Sequence, residues 1–316
     1  MARHSPEPQG FTLIELSIVL VIIGLIVGGV LVGQDLIRSA AVRAQVTQIE
    51  KFNQAVNTFY GKYGALPGDL NAQIANQFGF TPRGSYAGQG DGNGFIQGIW
   101  GNDPNANSGG FPYMGEAAVF WVDLTSANGL NVNLIEGSFH TGNFLTAPST
   151  PLGSTTTSLY MPAAKIGRGN YVYVYGLEGN LAADGAGSCL MPEANYFTLV
   201  QMSLTSIGPG PGNAGLTVTE ANAIDTKIDD GLPLSGNVLA EYNGANSSFY
   251  GGAENGSTLA PCSTNSNPAS TPATPGSSTS CFDNGGTAGT PMKYSLSQSG
   301  GNNVNCALSF KMQAGD

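Results

Sequence analysis

The feature that most constrains this chain is an apolar run of 23 residues, 11–33, in which Glu15 is the single charged side chain. As a helix with a rise of 1.5 Å per residue, the run would be roughly 35 Å long, enough to cross the ~30 Å hydrocarbon core of a bilayer. A carboxylate at the bilayer centre costs roughly 2.5–3.5 kcal/mol. Glu15 therefore either lies close enough to the lipid headgroups to be tolerated, or is kept for a function.

The ten residues before the apolar run differ from a secretory signal peptide. They are short and polar, and they include Pro6 and Pro8. A secretory signal has its small-residue cleavage site after the apolar core, whereas the natural processing point here, Gly10, precedes that core. Cleavage between Gly10 and Phe11 would leave the apolar segment on the mature protein, with its new amino group four residues from Glu15.

The sequence Gly-Phe-Thr-Leu-Ile-Glu at residues 10–15, followed by about twenty apolar residues, resembles the processing signal of type IV pilins and of the pseudopilins of type II secretion. The resemblance implies that a prepilin peptidase cleaves after Gly10 and methylates the new amino terminus at Phe11. It also implies that Glu15 interacts with the amino terminus of a neighbouring subunit during assembly. In a filament core, such a pair would fix the axial register, because a slipped neighbour would leave two buried charges unpaired.

The resemblance implies a function, a set of partners and a location. The chain would be a structural subunit of a type IV pilus-like filament, held in the inner membrane of a bacterium with its head in the periplasm. After assembly it would stand in an extracellular pilus or a periplasmic pseudopilus. Its partners would be identical or related pilin subunits, the prepilin peptidase, the inner-membrane assembly platform and the membrane. Two alternatives stay open: a pseudopilin of a type II secretion system, and a membrane-tethered binding protein that does not polymerise.

Beyond residue 33, the sequence predicts an amphipathic continuation of the same helix. Apolar residues recur there every three or four positions, at Val42, Val46, Ile49, Phe52, Val56, Phe59 and Tyr63. Gly64 is the predicted C-cap, and Pro67 follows it. The predicted organisation is a leader peptide over 1–10, a transmembrane or filament-core helix over 11–33, its amphipathic continuation over 34–64 and a globular head over 65–316.

The head is predicted to be a glycine-rich antiparallel β-sheet packed on the helix, which gives an α+β, pilin-like fold. With 46 Gly, 18 Pro and only 10% charged residues, the composition is typical of a loop-rich extracellular β protein. Segments 170–177, 196–204, 235–242 and 306–312 are predicted strands of one antiparallel sheet. Helices are predicted over 115–130 and over 220–230, the second capped by Thr219.

Four cysteines, Cys189, Cys262, Cys281 and Cys306, all follow the apolar segment. Because no two of them form a C-x-x-C pair, and because the only histidines are His4 and His140, no zinc or haem spacing is present. An even number of cysteines predicts two disulfides in an oxidising compartment, with four buried free thiols as the alternative. Sequence does not choose among the three connectivities. Cys281–Cys306 is favoured because it closes a short C-terminal loop, which leaves Cys189–Cys262.

An acidic group lies at the end of the second predicted helix. Asp225 and Asp229 are four residues apart on one helical face, and Asp230 follows them. Carboxylates in a last turn oppose the helix dipole, so three compensations are expected: a bound Ca²⁺, hydrogen bonds from the following loop, or Lys227 with solvent. The resemblance adds that major pseudopilins hold a structural Ca²⁺ in the head. Otherwise the sequence predicts no cofactor.

A second possible calcium site at Asp91 and Asn93 is interpreted as a turn. A twelve-residue calcium loop that starts at Asp91 needs a further ligand near position 95 and a glutamate at position 102. Those positions hold Phe95 and Asn102. Segment 89–98 is therefore predicted to be a turn that leads into a short strand.

Charge and motif content exclude two classes of function. The formal net charge is −10. From residue 64 onward the sequence has six Lys and Arg residues and seventeen Asp and Glu residues, a net charge of −11. No nucleic-acid binding through a broad basic surface is expected. The chain has neither a G-x-S-x-G motif nor a phosphate loop, and outside the leader its single histidine is His140. A structural, non-enzymatic role is predicted.

The Ser/Thr/Pro-rich segment 263–280 and the two predicted disulfides favour an exposed pilus head.

Overall fold

The computed structural model describes residues 12–80, 88–96, 115–125, 132–139, 157–177, 193–202, 212–213, 215–242, 281–283, 291–297 and 301–314. Within these residues, one long N-terminal helix leads into a head made of short helices and an antiparallel sheet. This α+β, pilin-like architecture is the one that the sequence predicts.

Helix α1 runs without interruption from Leu13–Tyr63, 51 residues, or roughly 77 Å at 1.5 Å per residue. It begins two residues after the predicted start at Phe11 because Thr12 is its N-cap. Its C-cap is Gly64, as predicted, and this residue adopts φ 72°. Glycine enters this left-handed conformation without the steric cost that a Cβ imposes.

The two halves of α1 differ in what surrounds them. The large apolar side chains between Leu13 and Ile37 are all more than half exposed. In the second half, one face packs on the head through Val42, Val46, Ile49, Phe52, Val56, Phe59 and Tyr63. Full burial of one large apolar side chain contributes about 1.5–3 kcal/mol, so these contacts fix the second half to the head. The first half has no such contact among the described residues.

The head contains a six-stranded antiparallel sheet and a separate two-stranded pair. The strands are β1 Asn170–Leu177, β2 Ala194–Met202, β3 Gly212–Asn213, β4 Leu216–Thr217, β5 Val238–Tyr242, β6 Phe282–Asp283, β7 Lys293–Tyr294 and β8 Val304–Lys311. The sheet order is β1-β2-β8-β4, with β3 beside β2 and β5 beside β8, while β6 pairs with β7. The four predicted strands correspond to β1, β2, β5 and β8, and they share one sheet as expected.

The predicted boundaries of strand β1 are correct, and those of the other three need adjustment. Strand β2 begins at Ala194 and β8 at Val304, each two residues before its predicted start. Strand β5 begins at Val238 and not at position 235. The backbone N–H groups of Asn237 and Val238 donate to a carboxylate oxygen of Asp229, and this holds the preceding residues in a turn.

Within the described part of the head, three short helices accompany the sheet: α2 Ala72–Phe78, α3 Ala117–Asp123 and α4 Val218–Ile228. The prediction of a helix over 115–130 was too long within the described residues. Beyond Asp123 the chain tightens, because the N–H and Oγ1 of Thr125 both donate to the carbonyl of Val122, at 3.1 and 2.9 Å. The predicted end at Asn128 and Gly129 lies outside the described residues.

Helix α4 begins two residues before the predicted start, and its cap is Thr217, not Thr219. The Oγ1 of Thr217 accepts from the N–H of Glu220 at 3.2 Å, and the Glu220 carboxylate accepts from the N–H of Thr217 at 3.0 Å. This reciprocal capping box satisfies two otherwise free donors at the helix start. The hydroxyl of Thr219 donates instead to the carbonyl of Gly301 at 2.9 Å.

Aromatic side chains hold α1 against α3 and the sheet. The ring of Phe52 on α1 lies 4.9 Å from that of Trp121 on α3, in an edge-to-face arrangement. Phe197 on β2 lies 5.9 Å from Phe52 and 6.1 Å from Trp121 between ring centroids. Such pairs contribute about 0.5–1.5 kcal/mol each beyond their buried area, so this cluster is the centre of the contact between helix and head.

Two buried glutamines on α1 add directional contacts with the head. The Nε2 of Gln48 donates to the carbonyl of Ala163 and its Oε1 accepts from the N–H of Lys165, both at 2.9 Å. The Oε1 of Gln45 accepts from the N–H of Ile166 at 3.1 Å. Because hydrogen bonds depend on direction as well as distance, these contacts fix the rotation of α1 about its axis relative to the head.

Candidate functional site

The Glu15 carboxylate lies in the first turn of α1 and is held by Thr12. The N–H and the Oγ1 of Thr12 donate to Oε2 of Glu15 at 2.9 and 2.8 Å. The N–H of Glu15 in turn donates to Oγ1 of Thr12 at 3.3 Å. This is a capping box, with the carboxylate at the positive end of the helix dipole. In the free chain, Glu15 therefore has local partners that offset part of the cost of a charge beside an apolar segment.

The sequence-based prediction missed the role of Thr12, although the signal was available. A Thr followed three residues later by Glu, immediately before an apolar run, is the sequence signature of a capping box.

The apolar surface that follows Glu15 is the largest exposed one in the described part of the chain. Seventeen large apolar side chains from Leu13 to Ile37 are at least 51% exposed. Among the described residues, α1 is the one helix that is long and apolar enough to cross a membrane. An exposed apolar surface of this extent marks a site that lipid or other apolar chains cover. The first half of α1 therefore fits membrane anchoring.

The other residues predicted for processing and cross-linking are described in part. Gly10 and Phe11 lie outside the described residues, as do Cys189 and Cys262. Cys281 and Cys306 form a disulfide with a Cα–Cα distance of 5.1 Å, which is the pairing that loop length favours. It joins the residue before β6 to strand β8, and thereby ties the two-stranded pair to the main sheet.

The predicted acidic group is assembled at the C-terminal end of α4. Asp225, Asp229 and Asp230 each have a carboxylate oxygen within 4.8 Å of the others. Loop donors compensate these charges: the N–H of Gly231 donates to Asp225 at 3.1 Å, and that of Leu232 donates to Asp230 at 2.8 Å. Hydrogen bonding from the following loop was one of the three compensations expected. Ca²⁺ at these carboxylates stays a prediction.

Asp225 is the buried member of this group. Its second oxygen accepts from the hydroxyl of Tyr294 at 2.7 Å. Burial raises the pKa of Asp225 to about 7, against the lowering effect of the Tyr294 hydrogen bond. Burial also raises the pKa of Tyr294, so its hydroxyl remains a donor. A cation at this position would favour the ionised form of Asp225.

A second acidic group was not predicted. Asp69, Asp91 and Glu116 have carboxylate oxygens within 4.8 Å of one another, and these oxygens could hold a divalent cation. Both oxygens of Asp69 accept backbone N–H groups, from Gly92 and Gly94, at 2.7 Å each. The residues come from three separate segments, so no local pattern in the sequence points to the group.

The predicted turn at Asp91 is present. Oδ1 of Asp91 accepts from the N–H of Asn93 at 3.0 Å, and Oδ1 of Asn93 accepts from the N–H of Phe95 at 2.8 Å. These two side-chain turns wrap segment 91–95 around Asp69. The prediction of a turn was correct, but its role in enclosing a carboxylate was not foreseen.

The carboxylates of Asp69 and Asp123, near this turn, are both buried. Burial raises the pKa of Asp69 to about 7, and it raises the pKa of Asp123 to about 7 as well. Asp123 accepts from the N–H of Gly68 at 2.8 Å and from Nε2 of Gln89 at 3.0 Å. The hydrogen bonds from Gly68 and Gln89 lower the pKa of Asp123 but do not balance the loss of water.

Glu220 is the centre of an ion-pair network between three elements. Its carboxylate accepts from Arg168, with Nη1 at 2.9 Å, and lies 3.9 Å from Nε of Arg38 on α1. Glu220 is 3% exposed. Although burial acts to raise its pKa, the hydrogen bonds from Arg168 and Thr217 together hold the pKa below its usual range. The network joins α1, the turn before β1 and the capping box of α4.

Comparison with known proteins gives one match, at the N-terminus. Residues 8–31 match the family described as the prokaryotic N-terminal methylation motif. No curated protein and no solved structure shows significant similarity to the chain. The matched residues include Gly10, Phe11, Thr12 and Glu15, together with most of the exposed apolar half of α1. The chain thus carries, on a pilin-like α+β fold, the N-terminal methylation motif that is the signature of type IV pilins and pseudopilins.

Proposed function

We propose that this protein is a structural subunit of a type IV pilus-like filament, which a prepilin peptidase processes after Gly10 and which assembles through α1. The observation that carries the proposal is Glu15, held in a capping box at the start of a helix whose next 18 positions, 16–33, carry only apolar or small side chains. The matched methylation motif supports the same assignment. The motif also supports a structural role.

Assembly is proposed to exchange the partners of Glu15. In the free chain the carboxylate accepts neutral donors from Thr12. A methylated ammonium group at Phe11 of a neighbouring subunit would offer a charged donor, and hydrogen bonds between two ions are roughly twice as strong as neutral ones. The exchange is favourable only where the two groups are at the same axial height, so it selects one register.

The apolar half of α1 provides the surface that packs in the filament core. Each of its large side chains contributes about 1.5–3 kcal/mol when it is fully removed from water. Lipid covers these side chains before assembly, and neighbouring helices cover them in a filament. Because both environments are apolar, helix packing and the Glu15 pair decide between them.

The pilus is preferred to a pseudopilus on the chemistry of the head. The disulfide between Cys281 and Cys306 and the Ser/Thr/Pro-rich segment 263–280 suit a head that remains exposed outside the cell. A pseudopilin of type II secretion would use the same N-terminal segment, so the two roles differ in where the filament ends.

The proposal is tested with Glu15→Ala in the full-length protein in its native envelope. Membrane insertion and cleavage before Phe11 are expected to persist, because the apolar segment and Gly10 are unchanged. Filament assembly is expected to be lost or misaligned. Glu50→Ala is the matched control, since Glu50 is an exposed glutamate on the same helix outside the apolar half, and it should assemble normally.

Intact mass, N-terminal sequencing and electron microscopy of sheared cell surfaces are the measurements. A mature chain that starts at a methylated Phe11 and forms surface filaments supports a pilus subunit. Short filaments confined to the periplasm, with loss of protein secretion when the chain is deleted, would assign it to a pseudopilus. An uncleaved chain, or normal filaments from Glu15→Ala, would overturn the proposal.

A further inference from the structure

A groove runs along the second half of α1, between this helix and the head segments 134–139 and 158–165. Its volume is about 990 Å³. The floor is formed by exposed α1 side chains that are three or four residues apart and so share one face: Arg43, Thr47, Lys51, Gln54 and Thr58. We refer to this feature as the α1 groove.

The α1 groove is basic on an acidic protein. Its lining contains Arg43, Lys51 and Lys165 against a single acidic residue, Glu136. The whole chain has only 11 Lys and Arg residues and a net charge of −10. Three of these cations therefore line one groove, and an occupant of opposite charge is favoured there electrostatically.

The position of the α1 groove links it to assembly. It lies on the same uninterrupted helix as the exposed apolar half. Packing of α1 against other copies therefore also determines which part of a neighbouring copy lies opposite the groove. Helices pack with their axes 8–10 Å apart, and a head around the second half of α1 is wider than that. Copies must therefore be staggered along the filament, and the stagger brings the head of one copy beside the exposed α1 face of another.

We propose that the α1 groove receives an acidic segment from the head of a second copy of this chain. This inference rests on the proposed filament and adds to it a second contact, between heads and helices, that is independent of Glu15. Charge complementarity is the reason to choose a second copy: every copy presents a head with a net charge of −11 from residue 64 onward and a basic α1 groove. Each copy can thus be both donor and acceptor in a head-to-tail series, the type of contact that builds open filaments.

The occupant is identified by placing a photo-reactive amino acid, p-benzoylphenylalanine, at Thr47 in the full-length protein and irradiating cells that carry filaments. Thr47 is exposed and lies on the groove floor. The expected product is a dimer of this chain, cross-linked from Thr47 to an acidic head peptide of the second copy. The same label at Thr226, an exposed threonine on α4 that is outside the groove lining, should give several-fold less of this product. Cross-links from Thr47 to another protein, to nucleic acid or to lipid, or an absence of dimer in a filament preparation, would overturn the inference.

Charge reversal tests the electrostatic basis. Arg43→Glu with Lys51→Glu is expected to reduce filament yield about tenfold or more, because like charges placed in contact cost several kcal/mol and 1.4 kcal/mol already corresponds to a factor of ten. Lys227→Glu reverses an exposed lysine on α4 outside the groove lining and should retain normal yield. Intact processing and a formed Cys281–Cys306 disulfide in the double variant would establish that it still folds.

Failure of this inference is distinguishable from failure of the proposed function. Normal filaments from the double variant, or from a Thr47-labelled chain that forms no dimer, would refute the groove contact and leave the filament assignment intact. Absence of filaments from the wild-type chain, with the leader removed before Phe11 and α1 retained in the membrane, would overturn the filament assignment itself.

Discussion

Asp123→Asn is expected to stabilise the folded head above pH 7 and to weaken its dependence on pH. Asp123 is the last residue of α3 and is 2% exposed. Its two oxygens accept only neutral donors, from Gly68 and Gln89, and among the described residues no basic side chain forms an ion pair with it. Burial therefore raises its pKa from 3.8 to about 7, and the ionised form is the unfavourable one in the folded state.

The magnitude follows from this pKa and from proton linkage. Between pH 4 and pH 7 the folded state keeps a proton that the unfolded state has already lost. Stability is therefore fully present below the unfolded pKa of 3.8 and is lost as pH rises through the folded value of about 7. A difference of about three units at 1.36 kcal/mol each sets a ceiling of ~4 kcal/mol on the contribution of Asp123. Asp69, with a pKa raised to about 7 by burial, acts in the same direction.

Asparagine has the shape of aspartate but cannot ionise. Its Oδ1 can accept from the N–H of Gly68, and rotation of the Gln89 amide presents an oxygen to the new Nδ2. Both hydrogen bonds are then kept, so little change is expected near pH 4, where the unfolded state also begins to hold the proton. At pH 8 the variant is expected to be the more stable protein, by up to ~4 kcal/mol.

The measurement is denaturant unfolding of the full-length protein in detergent micelles, from pH 4.5 to pH 8.5, followed by tryptophan fluorescence. Trp121 is 2% exposed in the aromatic cluster and reports on the same region. Asp35→Asn, at an exposed position on α1, controls for a general change in charge. Parallel pH curves for the wild type and Asp123→Asn, or a variant that is equally destabilised at pH 5 and pH 8, would refute the reasoning.

Two further substitutions test how the head is held together. Replacing both Cys281 and Cys306 by Ser opens a loop with a sequence separation of 25 residues and should lower the free energy of unfolding by about 3–4 kcal/mol. Reduction of the wild type, which would also break the predicted Cys189–Cys262 disulfide, should cost at least as much, and an unchanged denaturation midpoint in the double variant would contradict the prediction. Glu220→Gln keeps a capping box, since Gln also suits that position, but removes the charge facing Arg168. It should cost about 1.5–3 kcal/mol, measured at pH 7, and the cost should fall as pH drops through the lowered pKa of Glu220.

The elements that sequence predicted well are those with a local period. The apolar spacing of α1 placed its packed face correctly from Val42 to Tyr63, and β-branched and aromatic runs located β1 and β2. Capping was predicted less well. Thr-x-x-Glu occurs at both Thr12 and Thr217 and marks the start of a helix each time, whereas the predicted cap of α4 is Thr219. The two-sided capping box was a stronger signal than a lone threonine.

The groups that sequence could not predict depend on contacts between distant segments. Asp69, Asp91 and Glu116 meet because the turn at 91–95 folds over Asp69 while the start of α3 approaches from another direction. The basic lining of the α1 groove likewise combines Lys165 with residues on α1 that precede it by more than a hundred positions. Local propensity contains no information on such encounters, because it describes each segment apart from its neighbours.

The two contacts argued for assembly have different physical roles. The apolar half of α1 is kept out of water, in lipid or in the filament core, in proportion to its buried area, but it is nearly indifferent to a shift along the helix axis, because most of its positions are apolar. Glu15 and the basic residues of the α1 groove add little net affinity, since each already has water or a local partner to give up. The energies of these charged contacts depend strongly on how a neighbour is positioned. Glu15 lies near the amino terminus of α1, and the basic residues of the α1 groove lie along its second half. Two charged contacts separated along a rigid helix determine both the axial shift and the rotation of a neighbour. Variants at either one should therefore alter filament geometry before they alter residence in the membrane.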